Sequence, residues 1–236
     1  MRRMTVLAAV LAILMLALAG PGVKLGLWTF RTGFYVLQWA AYLGLAVLVV
    51  ALVQLLVPAW RARSPLPLLT AMVLGLVSAG IPWYWRHRAE QVPPIHDITT
   101  DVVNPPEFVA VLPLRANAPN PATYGGKEVA DAQQKAYPDI RPLVLSTTPP
   151  EEAYARALAA VRAEGWDLVG ADSTAGRIEA TATTGWFGFK DDVVVRVQPE
   201  DGGSRVDVRS VSRVGGSDVG TNAQRIRGYL RKVAAG

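Results

Sequence analysis

The chain has 236 residues, is 51% hydrophobic, lacks cysteine and carries 24 Lys/Arg against 19 Asp/Glu. Divided at residue 92, the apparent basicity dissolves: the first 92 residues hold eight Lys/Arg and one acid, Glu90, and the remaining 144 hold 16 against 18. That balance argues against a nucleic-acid partner, which needs a basic face on the folded domain. The missing cysteines exclude a disulfide framework and a thiolate nucleophile or ligand.

Three stretches before Glu90 contain no charge: residues 4–23, 32–60 and 64–85. A hydrocarbon layer about 30 Å thick needs roughly 20 helical residues, so each predicts a transmembrane helix, at about 4–20, 33–57 and 66–85 within a membrane region spanning 1–92. The first stretch has a second reading. Arg2 and Arg3, an apolar run over 6–16 and the sequence Ala17-x-Ala19-Gly20-Pro21 have the form of a cleavable signal peptide. Either reading delivers residues 93–236 to the same side, because three spans from an inside start and two spans from an outside start end alike. Arg2, Arg3, Arg61 and Arg63 face Lys24, Arg31, Arg86 and Arg88 across the proposed bilayer, and the basic start sets the orientation. The expectation is a multi-pass protein of the cytoplasmic (inner) membrane with an extracytoplasmic domain. Trp28, Trp39, Trp60, Trp83 and Trp85 fall near the stretch ends, as interfacial indoles do. With no charge inside a span, a transport pathway has no acidic or basic residue to run on.

Residues 93–126 are rich in proline and predict an extended arm. A short helix follows over 127–136. Thr148, Pro149 and Glu151 form a capping box for a helix that ends at Gly165, with Tyr154, Leu158 and Val161 as its apolar stripe. Alternating patterns over 166–171, 177–184, 193–198 and 205–214 predict four antiparallel strands. A last helix opens on Thr221 as N-cap, with Gln224 three residues on and Ile226, Leu230 and Val233 on one face. One face of the sheet collects Ile178, Ala180, Ala182, Val193, Val195, Val197, Val206 and Val208 and must receive both helices. The fold class is therefore α+β: transmembrane helices followed by a two-layer sandwich of a four-stranded antiparallel sheet and flanking helices. The other face collects Glu179, Thr181, Thr183, Asp192, Arg196, Arg205, Asp207, Arg209 and Arg213, expected as a solvated ladder of ion pairs.

Five segments carry a family resemblance: Ile95 to Asp101, Asn104-Pro105-Pro106, Ala136-Tyr137-Pro138-Asp139-Ile140, Phe187 to Asp192, and Arg209-Ser210 followed by Gly220-Thr221-Asn222. Together they resemble the bacterial and plastid family known as domain of unknown function 1499, over about residues 93–236. The resemblance implies a shared domain and assigns no catalytic residue or ligand.

Candidate sites come from the residues themselves. His96, Asp97 and Asp101, joined by Asp191 and Asp192, offer imidazole and oxygen ligands to a hard divalent cation, while Asp97 and Asp191-Asp192 also suit plain turns. Gly215, Gly216 and Gly220 precede a helix N-terminus and could turn amides toward an anion, although Asp218 would fill that place itself. Arg196, Arg209 and Arg213 could hold a phosphate or lipid headgroup. His87 and His96 are the only histidines, no G-x-S-x-G is present, and 125–128 departs from a phosphate loop at both ends. The functional expectation is a membrane-anchored envelope protein without a cofactor, whose extracytoplasmic domain binds another envelope protein, an anionic lipid or a glycan. The rival is a metal-assisted hydrolase using the His/Asp set.

Overall fold

The computed structural model of the chain describes residues 2–57 and 64–236, so Trp60, Arg61 and Arg63 lie outside the described residues. Two compact units divide it: Met1–Glu90 with Gly185–Gly188, and Gln91–Thr184 with Phe189–Gly236.

In the first unit the uncharged stretches form α1 (Arg2–Lys24), α2 (Phe30–Leu56) and α3 (Leu66–Glu90). All three are long and apolar enough to cross a membrane, which points to membrane association. Helix α2 begins three residues before the expected start, where Thr29 accepts a hydrogen bond from the Thr32 amide. Helix α3 runs on past Trp85 through a final turn in which Arg86 pairs with Glu90 at 3.2 Å. The buried positions are mostly small: Ala9, Ala12 and Ala19 on α1, Ala40, Gly44 and Ala51 on α2, Ala71, Gly75 and Ser78 on α3. Leu7, Leu11, Leu14, Leu45 and Leu76 point outward. This inversion of a soluble core follows from the solvent: against lipid, leucine gains nothing by burial, and close backbone approach gives the contact energy instead. At Gly44 a Cβ would meet the Gly75 carbonyl oxygen at 2.7 Å, and at Gly75 it would meet that of Gly44 at 2.6 Å. Gln54 Nε2 donates to Thr5 Oγ1 at 2.8 Å between α2 and α1, with both side chains buried. Because those two glycines touch backbone to backbone, Gly75→Leu should destabilise the bundle by about 1–3 kcal/mol through overpacking. Thermal unfolding in detergent checks this, with Leu45→Ala on the outward face leaving the midpoint nearly unchanged.

The second unit is α+β, as expected, but its sheet has six strands rather than four. In spatial order these are β1 (Asp97–Thr99), β6 (Gly203–Ser212), β5 (Lys190–Glu200), β4 (Arg177–Thr183) and β3 (Asp167–Asp172), and β2 (Leu143–Leu145) also pairs with β6. Every pairing is antiparallel. Strands β1 and β2 have three residues each, too few to print a period-2 pattern. They lie end to end on the outer edge of β6, opposite 209–211 and 204–206.

Three helices accompany the sheet: α4 (Gly126–Ala136), α5 (Pro150–Ala163) and α6 (Thr221–Ala235). Both expected capping boxes are displaced by one residue. The N-cap of α5 is Pro149 and that of α6 is Gly220, neither of which caps the helix with its own side chain. Thr148 is instead buried, its carbonyl accepting from Ser204 Oγ at 2.7 Å. Helices α5 and α6 lay Ala153, Ala157, Val161, Ile226, Tyr229 and Val233 on the apolar face formed by Ile178, Val193, Val195, Val206 and Val208. Tyr229 fixes this layer: its ring stacks on Trp166 at 5.2 Å, and its hydroxyl donates to the Ala157 carbonyl at 2.8 Å. Burial holds that hydroxyl far above the ordinary tyrosine range, with Glu164 adding to the shift.

A second apolar cluster, Phe108, Val111, Val194 and Val211, lies on the opposite face of the sheet. Phe108 and Val111 belong to the proline-rich arm, which contains a 3-10 helix over Leu112–Arg115. The arm therefore forms a covering for the face that sequence patterning leaves to solvent.

Candidate functional site

Side chains alternate along a strand, so Glu179 and Thr181 of β4, Asp192, Val194 and Arg196 of β5, and Arg205, Asp207, Arg209 and Val211 of β6 share the face under the arm. The register puts Thr181 opposite Asp192, and Arg196 opposite Asp207. Expected as a solvated ladder, this face is dry: Asp192 and Asp207 have no accessible surface and Arg209 retains 2%. The reason is that the arm brings countercharges of its own.

Asp192 sits between two guanidinium groups. Arg115 of the 3-10 helix donates to its Oδ2 at 2.6 Å, Arg213 donates to Oδ2 and Oδ1 at 2.9 and 2.8 Å, and the Thr181 hydroxyl donates to Oδ1 at 2.7 Å. Arg213 also reaches the Leu114 carbonyl. The next cluster pairs Asp101 and Asp207 with Arg196 and Arg205 at 3.0–3.1 Å. Asp101 uses its other oxygen to accept from the amides of Val103 and Asn104, a turn role expected of Asp97, which lies in β1 instead. Asp97 and Arg209 form a two-pronged pair at 2.9 and 2.7 Å. The Arg209 guanidinium lies over the rings of Phe108 and Tyr124, and donates to the carbonyls of Pro106 and Ala122. Burial, with Asp97 adding and Arg209 opposing, pushes the Tyr124 hydroxyl up to about 12.

Glu179 supplies a fourth attachment without a cation from the arm. Its carboxylate accepts the consecutive amides of Val109, Ala110 and Val111 at 2.9–3.1 Å, and Arg177 pairs with it from the strand. Successive amides converging on an anion are a strong receptor, and here the anion is the protein's own. At the other end of the arm the Gln133 amide of α4 copies a strand: its Nε2 donates to the Thr99 carbonyl at 2.7 Å and its oxygen accepts from the Thr99 amide at 2.9 Å.

The five residues proposed as metal ligands do not converge. Asp191 and Asp192 are adjacent in β5 and point to opposite faces; Asp191 pairs with Arg225 of α6 at 2.6 Å. His96 contributes its backbone carbonyl, which accepts from the Ser212 amide and Asn222 Nδ2. Among the described residues no group of three or more His, Asp or Glu is placed to hold a metal.

The glycine loop closes on itself. Gly215 and Gly220 adopt left-handed backbone conformations, with φ of 92° and 78°, and Gly216 lies between Gly215 and Asp218. Asp218 Oδ1 accepts from the Gly220 amide and Oδ2 from the Asn222 amide at 2.8 and 2.9 Å, capping α6. Burial raises the Asp218 carboxyl above its usual range, while those two amide bonds act in the opposite sense.

Sequence reasoning missed Arg115, Gln133, Asn222 and Arg225. Arg115 left a signal, since it is the one charge in residues 108–126. Asn222 stood within a segment that carries the family resemblance, while Gln133 and Arg225 look like ordinary polar helix positions.

Several large apolar side chains also remain at the surface of this unit. Val109, Leu112 and Leu114 are about half exposed along the arm, and Val103 stands 91% exposed at its first turn. An open depression of about 640 Å³ is lined by Pro149, Pro150, Pro199, Glu200, Asp201, Gly202 and Gly203, which include no imidazole and no hydroxyl nucleophile.

Two outcomes follow. Removing one member of a buried pair strands its partner, at a cost of about 3–5 kcal/mol, so Asp192→Ala should lower the unfolding free energy by that order. Glu152→Ala, from the partly exposed Glu152–Arg156 pair, should change it by less than about 1 kcal/mol; chemical denaturation distinguishes them. Calorimetric titration with Mg²⁺, Ca²⁺, Mn²⁺ and Zn²⁺ should detect no site tighter than millimolar, and micromolar uptake lost in His96→Ala would contradict the arrangement described.

The family model described as protein of unknown function (DUF1499) matches residues 97–233, more than half of the chain. No curated protein matches it.

Proposed function

Since the chain belongs to the DUF1499 family, and its apolar helices precede the family domain, we propose that it is a membrane-tethered binding protein of the cell envelope. In this reading the helices anchor the domain at the outer face of the cytoplasmic membrane, and the domain recognises another envelope protein without performing a reaction. The supporting observation is how the charged residues are used. Arg196, Arg209 and Arg213 are committed to Asp101, Asp207, Asp97 and Asp192, so they serve a partner by holding the arm rather than by gripping an anionic lipid or glycan. The segment they hold, from His96 and Asp101 onward, presents Val103, Val109, Leu112 and Leu114 to the outside. Apolar side chains displayed on a rigidly attached segment suit a protein surface, where they can be desolvated in a complementary pocket. The basic start of the chain supports the outward orientation.

Photo-cross-linking in intact cells tests the partner. A photoreactive residue at Leu112 or Leu114 should give a discrete protein adduct, and one at Lys127, on an exposed helix surface, should not. Adducts to lipid alone, or equal adducts at all three positions, would count against the reading. A dual reporter fused after Gly236 should be active in its periplasm-dependent half and silent in its cytoplasm-dependent half; the reverse result refutes the orientation.

A further inference from the structure

The run Ala17-x-Ala19-Gly20 at the end of the first apolar stretch has the form of a signal-peptidase site, and its surroundings in the helical unit decide its fate. We infer that α1 is a permanent third span and that this site is never cut, because Ala19 and Gly20, on either side of the scissile bond, are packed inside the bundle while only Ala17 and Leu18 face outward.

Helix α1 continues unbroken through the site to Lys24. Ala19 is fully buried, and Gly20 and Gly22 are buried beside it. The carbonyls around the scissile position are occupied: Ala19 accepts from the Trp28 indole N–H at 3.1 Å, and Ala17 accepts from the Trp186 indole N–H at 3.4 Å. These indoles also fill the space over the glycines. A Cβ on Gly20 would lie 2.7 Å from the Trp186 ring, and one on Gly22 would lie 2.0 Å from that of Trp28. The small residues that read as a cleavage motif are thus required by the close approach of two tryptophans. Proteolysis acts on segments that are exposed or that open locally, and this one is neither a loop nor a terminus.

The front of the helix is equally engaged. Ala9 packs with Val47 of α2 and Ala71 of α3, and Thr5 receives the Gln54 amide. Loss of residues 1–19 would remove Thr5 and strip the buried Gln54 side chain of that acceptor. Retention also has a topological consequence. Three spans place Arg2 and Gly236 on opposite sides of the bilayer, whereas a cleaved two-span form would place both ends of the mature chain on one side.

The absence of cysteine makes the test clean. Full-length protein extracted from its own membrane should show an intact mass that includes residues 2–19. The double variant Thr5→Cys with Gln54→Cys should form a disulfide on mild oxidation, whereas Leu7→Cys with Gln54→Cys should not, because Leu7 is 62% exposed on the outer surface of α1. A mature N-terminus between residues 18 and 22 overturns the inference. So does an uncut chain in which the Thr5/Gln54 pair fails to cross-link, because that outcome removes the packing from which retention was argued. Neither readout depends on whether the domain binds a partner.

Discussion

A carboxylate with no access to water has to find its countercharge within the fold, and Asp192 finds two, Arg115 and Arg213. The organisation of the soluble unit follows from that constraint. Residues 100–125 form little regular structure, so few ladder bonds offset the conformational entropy lost when they are ordered. Prolines lessen that loss by restricting the unfolded chain. The remainder is met by side chains that reach across: Asp97, Asp101 and Arg115 from the arm, and Arg209, Arg196, Arg205 and Asp192 from the sheet. Apolar contacts alone would hold the arm in any of several registers, because they have no direction. A guanidinium fork on a carboxylate has one geometry, which Arg209 and Asp97 adopt, and the contacts of Arg115 with Asp192 and of Asp101 with Arg196 and Arg205 fix two further points along the arm.

The helical unit solves the same problem of unique packing with the opposite material. Its interior has no ion pair among the described residues, and its polar contacts, such as Gln54 to Thr5 and the Trp28 indole to the Ala19 carbonyl, are between uncharged groups. Specificity there comes from shape, with glycines and alanines at the positions where helices touch. One chain thus contains a dry interior built from charges and a lipid-facing bundle built from the absence of side chains. In both, the informative residues are those that the surrounding medium would otherwise penalise.

Much of this was legible in the residues. Uncharged length identified the three helices to within a few residues, because hydrocarbon thickness leaves little latitude. Strand alternation separated Ile178, Val193, Val195, Val206 and Val208 from Glu179, Asp192, Asp207 and Arg209, because the side-chain period of a strand is fixed. Other features were hidden for physical reasons. Strands β1 and β2 are too short to show a period, and β1 lies among prolines that signal irregular chain. The capping boxes failed by one position because prolines and glycines set the helix starts through backbone geometry, leaving Thr148 outside α5 and Thr221 inside α6. The mistaken solvation of the charged face has a different cause. A row of alternating acids and bases looks the same in sequence whether water or another segment covers it. What distinguishes the cases is complementarity with a segment some 80 residues away. Asp97 and Asp101 were read as ligands for a metal, yet their partners are the arginines proposed as a separate anion site, so two candidate sites were two halves of one set of bonds.

The placement of Asp191 and Asp192 on opposite faces of β5 has an implication for how this domain can vary. Each acid belongs to a different layer, Asp191 to Arg225 of α6 and Asp192 to the arginines beneath the arm. A one-codon insertion or deletion within β5 would exchange the two for all residues beyond it, turning valines toward guanidinium groups and charges toward the helices. Length changes are confined in this way to turns such as the one between β5 and β6, while the strand itself can drift in composition only by substitution that keeps its parity.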